Sequence, residues 1–233
     1  MTHDEGQLTK NNHPMPFSPL YFFLFLFLLS FLLGIIQFGL VTLTLSKLGL
    51  TTNHAFLLLF GSLLGSAINI PLFTVRADPA AVPQEPVYFG LLRLPQRPFT
   101  GRTLIAVNVG GAIIPVLFSL YLLTHSSLNY FHVLIAIALV TMISYHFSRP
   151  LPGLGIGMPV LIAPLAAAVI ALIINTEQSA PLAYISGTLG VLLGADLLRL
   201  NDVRKLAAPY ASIGGAGTFD GIFITGIIAV LLT

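Results

Sequence analysis

Two carboxylates lie inside apolar runs, where an ionisable group is costly and by default marks function. They are Asp196 in Gly194-Ala-Asp196-Leu-Leu and Asp220 in Gly214-Gly-Ala-Gly217-Thr-Phe-Asp220-Gly221. Carboxylates brought close in a low-dielectric setting cannot both ionise, so one keeps a proton near neutral pH while the other can act as base on a water. That is the chemistry of aspartic proteolysis. Gly214, Gly215 and Gly217 loosen the start of the helix that carries Asp220, so that backbone amides and carbonyls there can meet a substrate or an ion, and Thr218 joins them as a candidate binding residue that could also cap nearby amides. Asn69 in Ala67-Ile-Asn69-Ile-Pro71 and Asn108 in Val107-Asn108-Val-Gly-Gly111 add neutral ligands at the ends of two other apolar runs. Each feature also has a plain structural reading. Arg199 lies at i+3 from Asp196 and could pair with it or with Asp202, Asp220 could cap its helix, and each Asn could make an interhelical hydrogen bond of about 0.6 kcal/mol.

Other chemistries find little support. There is no cysteine, and His3, His13, His54, His125, His132 and His146 are scattered, so no metal site and no cofactor is expected. Walker, Rossmann and Ser-His arrangements are absent, which disfavours a nucleotide-driven pump. Ten basic and eight acidic residues, dispersed along the chain, make no nucleic-acid surface.

The elements that must position these residues are membrane helices. The 233 residues are 56% hydrophobic and 8% charged, against roughly a quarter charged in a soluble domain. On the rule of about 20 apolar residues per crossing, spans are expected near 19–46, 55–75, 103–124, 131–148, 153–175, 181–200 and 213–233. The expected fold is therefore all-α, a polytopic bundle of about seven helices in a single domain over 19–233. It follows a mobile polar tail over 1–18 and contains a Pro/Arg-rich cytoplasmic loop over 76–102. With these spans Lys10, Arg76, Arg93, Arg97, Arg102, Arg149, Arg199, Arg204 and Lys205 fall on one side and Lys47 alone on the other. The basic side is cytoplasmic, giving a multi-pass membrane protein with its N-terminus inside and its C-terminus outside. Asp196 then sits roughly 6 Å, and Asp220 roughly 10 Å, from the cytoplasmic surface.

A weak internal repeat accompanies this pattern. Gly61-Ser-Leu-Leu-Gly65 is echoed by Gly190-Val-Leu-Leu-Gly194, and Val109-Gly-Gly-Ala112 by Ile213-Gly-Gly-Ala216. Both matches join helices running the same way, as in a 3+1+3 arrangement of parallel repeats; recurrent small residues at helix contacts are the simpler account.

Asn69-Ile-Pro71, Val107-Asn108-Val-Gly-Gly-Ala112 with Pro115, Gly194-Ala-Asp196 and above all Gly214-Gly-Ala-Gly-Thr-Phe-Asp220-Gly-Ile-Phe resemble the prokaryotic membrane family known as domain of unknown function 1614. That likeness covers most of the chain after the tail and implies a multi-pass membrane protein without supplying an activity. In outline, Asp196-Leu-Leu and Gly217-Thr-Phe-Asp220 also look like the paired motifs of presenilin and signal-peptide-peptidase-type intramembrane aspartyl proteases. Ala195 stands where those proteases have tyrosine and Phe219 where they have the second glycine.

Three functions follow as expectations. The leading one is an intramembrane diaspartyl hydrolase, Asp196 and Asp220 acting on a membrane-embedded peptide. The second is a proton- or cation-coupled transporter of a small solute using the same carboxylates with Asn69 and Asn108. The third is a structural membrane subunit. The lipid bilayer is the expected partner in all three, and the sequence is silent on oligomeric state.

Overall fold

The computed structural model describes residues 19–78, 88–89, 92–93, 101–151, 155–205, 208–215 and 221–233. The expected mobile tail, most of the 76–102 loop, and Gly217, Thr218 and Asp220 lie outside them. The chain divides into two compact units, residues 1–39 and 40–233. The first holds the greater part of α1 (Pro19–Lys47), a 29-residue helix of almost unbroken apolar sequence. Everything else belongs to the second.

Each apolar run contains a helix: α2 (Thr52–Gly65), α3 (Ile114–His125), α4 (Tyr130–Phe147), α5 (Ile162–Ile174), α6 (Ser179–Val191) and α7 (Gly221–Leu232) follow α1. Among the described residues, two helices are long and apolar enough to cross a membrane, Tyr130–Phe147 and Ser179–Leu197. The segments Gly39–Lys47 and Thr52–Gly65 pass that test as a pair, bent by 114°.

The all-α expectation needs a correction: the protein is mostly helical, but several apolar runs divide into a short helix and a strand. β1 (Asn69–Arg76) occupies the end of the second run, β4 (Arg102–Asn108) the start of the third and β7 (Tyr210–Ile213) the approach to the last. Short pairs β2–β3 (Tyr88–Phe89, Leu92–Arg93) and β5–β6 (Arg149–Leu151, Gly155–Gly157) complete the strands. Hydropathy alone cannot separate a buried helix from a strand. The cue lay in residue type, since Ile70, Phe73 and Val75 face Val107, Ile105 and Thr103, β-branched and aromatic residues that suit a pleated sheet. Pro71 would break a helix interior, but it is tolerated in an edge strand, beside the register shift between Pro71 and Phe73.

The three strands form one mixed sheet in the order β1-β4-β7. β1 runs antiparallel to β4 from Asn69↔Asn108 to Arg76↔Arg102, and β7 runs parallel to β4 from Leu104↔Tyr210 to Val107↔Ile213. Because β4 and β7 are parallel, the Gly-Gly pairs that follow them, Gly110-Gly111 and Gly214-Gly215, lie beyond the same end of the sheet.

At the centre of the second unit stands α6. Eleven of its thirteen residues are buried, which marks a helix enclosed on all sides. Its small residues admit the neighbours. A methyl group on Gly190 would strike Val140, one on Gly194 would meet Ser144, and one on Gly187 would touch Ala167 of α5 and Thr225 of α7. Reciprocally, Gly226 of α7 leaves room for the ring of Tyr184 and the hydroxyl of Thr188. Tyr184 in turn packs edge-on against Phe118 of α3, with ring centroids 5.0 Å apart. Close approach at small residues is the usual way apolar helices associate when no water drives them together. Between α2 and the turn after β4, Gly65 abuts the backbone of Gly110, at 3.1–3.2 Å for a hypothetical methyl, and Ser62 donates its hydroxyl to the Gly110 carbonyl.

Candidate functional site

The site lies where the sheet meets the helices. After β4 the chain enters a π-helical turn, Val109–Ile113, before α3, and Asn108 organises that transition. Fully buried, it accepts a hydrogen bond from the Gly111 amide at Oδ1 (2.7 Å) and donates from Nδ2 to the Ser66 carbonyl (2.7 Å) and to Asn69 Oδ1 (3.1 Å). The same Asn69 oxygen accepts from the Ser212 hydroxyl at 2.7 Å. One carboxamide pair therefore joins all three strands across a single face of the sheet.

Beyond Ser212, the chain turns through Gly214 and Gly215, at φ +78° and +86°, a left-handed backbone that L side chains adopt only under strain. Space demands glycine as well: a methyl on Gly214 would lie 2.6 Å from the Ala112 methyl, and one on Gly111 would run into the Gly214 carbonyl. The two Gly-Gly motifs are thus in direct backbone contact.

Asp196 reaches this contact from α6. The helix widens into a π segment, Leu192–Leu197, before a 3₁₀ turn at Leu200–Lys205; such one-turn expansions shift the side chains that follow them. Asp196, half-buried, accepts the Gly214 amide at Oδ2 over 3.0 Å. The first sequence-designated acid is thereby fixed to the glycine-rich segment that leads to the second. Asp220 lies outside the described residues, as do Gly217 and Thr218; Gly221, which follows it, opens α7.

Asn69 and Asn108 share one hydrogen-bonded network with Ser212, Asp196 is bonded separately to Gly214 in the turn that follows Ser212, and Gly215 completes that turn by donating to the Ser212 carbonyl at 3.3 Å. Sequence reasoning missed Ser212. Its signal was alternation, because two residues before a glycine at a strand end places it on the face that carries Asn108. The two readings of Arg199 separate here. Its guanidinium pairs with Asp202 at 3.0 Å, donates to Ser148 Oγ at 3.2 Å and to the Tyr145 carbonyl at 2.7 Å, and stacks 4.2 Å from the Tyr145 ring centroid. Asp202 also holds Lys205 at 2.6 Å. Among the described residues no three His, Asp or Glu side chains come together as a metal-binding group.

A family model for a protein of unknown function, DUF1614, matches residues 63–232, an interval that contains every residue of this cluster. No curated protein matches the chain. No solved structure matches it either.

Proposed function

The chain belongs to the DUF1614 family, and we propose that it is an intramembrane diaspartyl hydrolase of a prokaryotic cytoplasmic membrane, with Asp196 and Asp220 as its acid–base pair. The observation that carries this reading is the Asp196–Gly214 hydrogen bond. It ties one intramembrane carboxylate to the start of the six-residue path along which the chain reaches the other. In the proposed reaction the ionised carboxylate takes a proton from water as the water oxygen bonds to the peptide carbonyl carbon. The protonated partner hydrogen-bonds the developing oxyanion, and the proton held on the first acid passes to the amide nitrogen as the C–N bond breaks. A membrane-embedded peptide is the proposed substrate, since both acids lie in apolar runs of the sequence.

Orientation follows from charge. Arg76, Arg102 and Arg204 cluster at the end of the sheet remote from the helices, while Lys47 donates to the Val230 and Leu231 carbonyls at the opposite end of α7. The sheet end is proposed to be cytoplasmic and the C-terminus external.

The test is cleavage of a synthetic single-span peptide in proteoliposomes. Asparagine keeps an oxygen that can accept the Gly214 amide, so Asp196→Asn is expected to fold and lose cleavage, as is Asp220→Asn. Cleavage that survives either substitution at the wild-type rate would refute the proposal.

A second reading, a proton- or cation-coupled transporter, is favoured by the interrupted helices. Val109–His125, Ile162–Ile174 and Ile222–Leu232 are shorter than a crossing, as are the half-helices from which transporters with broken helices build their sites. It predicts proton uptake into proteoliposomes driven by an imposed gradient, lost in Asp196→Asn, with no peptide cleavage by the wild type.

A further inference from the structure

The last rung of the β1–β4 ladder sets Arg76 directly opposite Arg102. Facing side chains on adjacent strands are about 5 Å apart at Cβ, and like charges placed so repel. Both residues are exposed, and among the described residues neither has an ion pair. A third basic residue belongs to the same end of the sheet, because the Asp78 amide, two residues past Arg76, donates to the backbone carbonyl of the exposed Arg204 at 2.9 Å. Among the described residues the nearby acids do not neutralise the group: Asp202 is engaged by Arg199 and Lys205, and Asp78, which also interacts with Lys205, stands beside three arginines. The same strand is apolar on its exposed surface just before the rung, with Ile70, Leu72 and Phe73 44–51% exposed. In water such a strand edge would be an aggregation hazard. Against lipid it is at home, and the rung begins only three residues, roughly 10 Å, past Phe73.

We infer that the β1–β4 ladder rests in the cytoplasmic leaflet and that Arg76, Arg102 and Arg204 bind the phosphate of an anionic phospholipid headgroup. The bound phosphate supplies the missing counter-charge, and the arginine stems reach it by lying along apolar surface. Anionic lipids enrich the inner surface in negative charge, which is where nine of the ten basic residues fall. This inference rests on the orientation proposed above.

The test uses the full chain in nanodiscs of dioleoylphosphatidylglycerol or dioleoylphosphatidylcholine. Wild-type protein should melt about 2–4 °C higher in the anionic lipid. Arg76→Gln/Arg102→Gln should lose that increment, yet melt no lower than wild type in phosphatidylcholine, because the repulsive rung is relieved. An unchanged increment in the variant, no increment in the wild type, or its full reproduction by inorganic phosphate in phosphatidylcholine would overturn the lipid site. Labelling of Arg204→Cys by an impermeant maleimide from the cytoplasmic side only would keep the orientation standing in those cases; labelling from outside would remove the orientation and the inference with it.

Discussion

Asn108 is the side chain on which the site's geometry most depends. Its removal in Asn108→Ala strands the Gly111 amide and the Ser66 carbonyl in a dry interior, each worth about 1–3 kcal/mol when left unpaired. The variant should therefore lose about 2–4 kcal/mol, read as a fall in the thermal midpoint in detergent. Asn69→Ala, at a half-buried position, should cost about 1 kcal/mol. Gly214→Ala combines a left-handed backbone with a clash against Ala112 and should be at least as damaging as Asn108→Ala, which a failure to accumulate folded protein would register. These residues were legible in the sequence because intramembrane carboxylates, carboxamides and paired glycines are rare enough to stand out in apolar runs. Their wiring was not. Nothing in the linear order of Asn69, Asn108 and Ser212 says that one oxygen serves two donors, since that depends on strand register. The pairing of Arg199 was equally open, because Asp196 and Asp202 are equidistant from it in sequence and the π segment decides between them.

Helix contacts are set by glycines whose partners are specific. Gly194 faces Ser144 and the Thr141 backbone of α4, so Gly194→Leu should push α4 from α6, costing about 1–3 kcal/mol or more, and should lower peptide cleavage because Asp196 lies two residues on. The turn that follows α6 carries its own pH signature. Hydrogen bonds from Lys205, then from Arg199, hold the Asp202 carboxyl below the usual carboxylate range, and the same contact with Asp202 raises the Lys205 ammonium. A depressed carboxyl contributes stability above its unfolded value, near 3.9, and loses it as pH falls through its folded value. The wild type should then lose thermal stability below about pH 4, whereas Asp202→Asn should be lower at neutral pH and flatter across the acid range. Helix existence was readable from hydropathy in every apolar run. Helix ends were not, because Pro71 and the β-branched residues around it count as apolar just as leucine does, and only a sheet partner shows them as strand.

Across the whole molecule, topology orders everything else. The natural chain contains no cysteine, so single cysteines report cleanly: Ser127→Cys, exposed between α3 and α4, should react with an impermeant maleimide from outside, and Arg204→Cys only from the cytoplasmic side. The nine-to-one division of basic residues is an expectation from the sequence, which these labels test. Beyond sequence lay the sheet that gathers Arg76, Arg102 and Arg204 at one end, which joins residues more than a hundred positions apart. The central claim, however, is that Asp196 and Asp220 form one centre. The most direct measurement is oxidative cross-linking of Asp196→Cys/Asp220→Cys in membranes, a bond that forms only when the Cα atoms come within about 7 Å. An intramolecular disulfide in the double variant, absent from either single variant, is the expected result. Failure to cross-link, both by oxidation and by a bifunctional reagent spanning about 6 Å, the widest gap between the acids' oxygens that one bridging water would allow, would contradict the account.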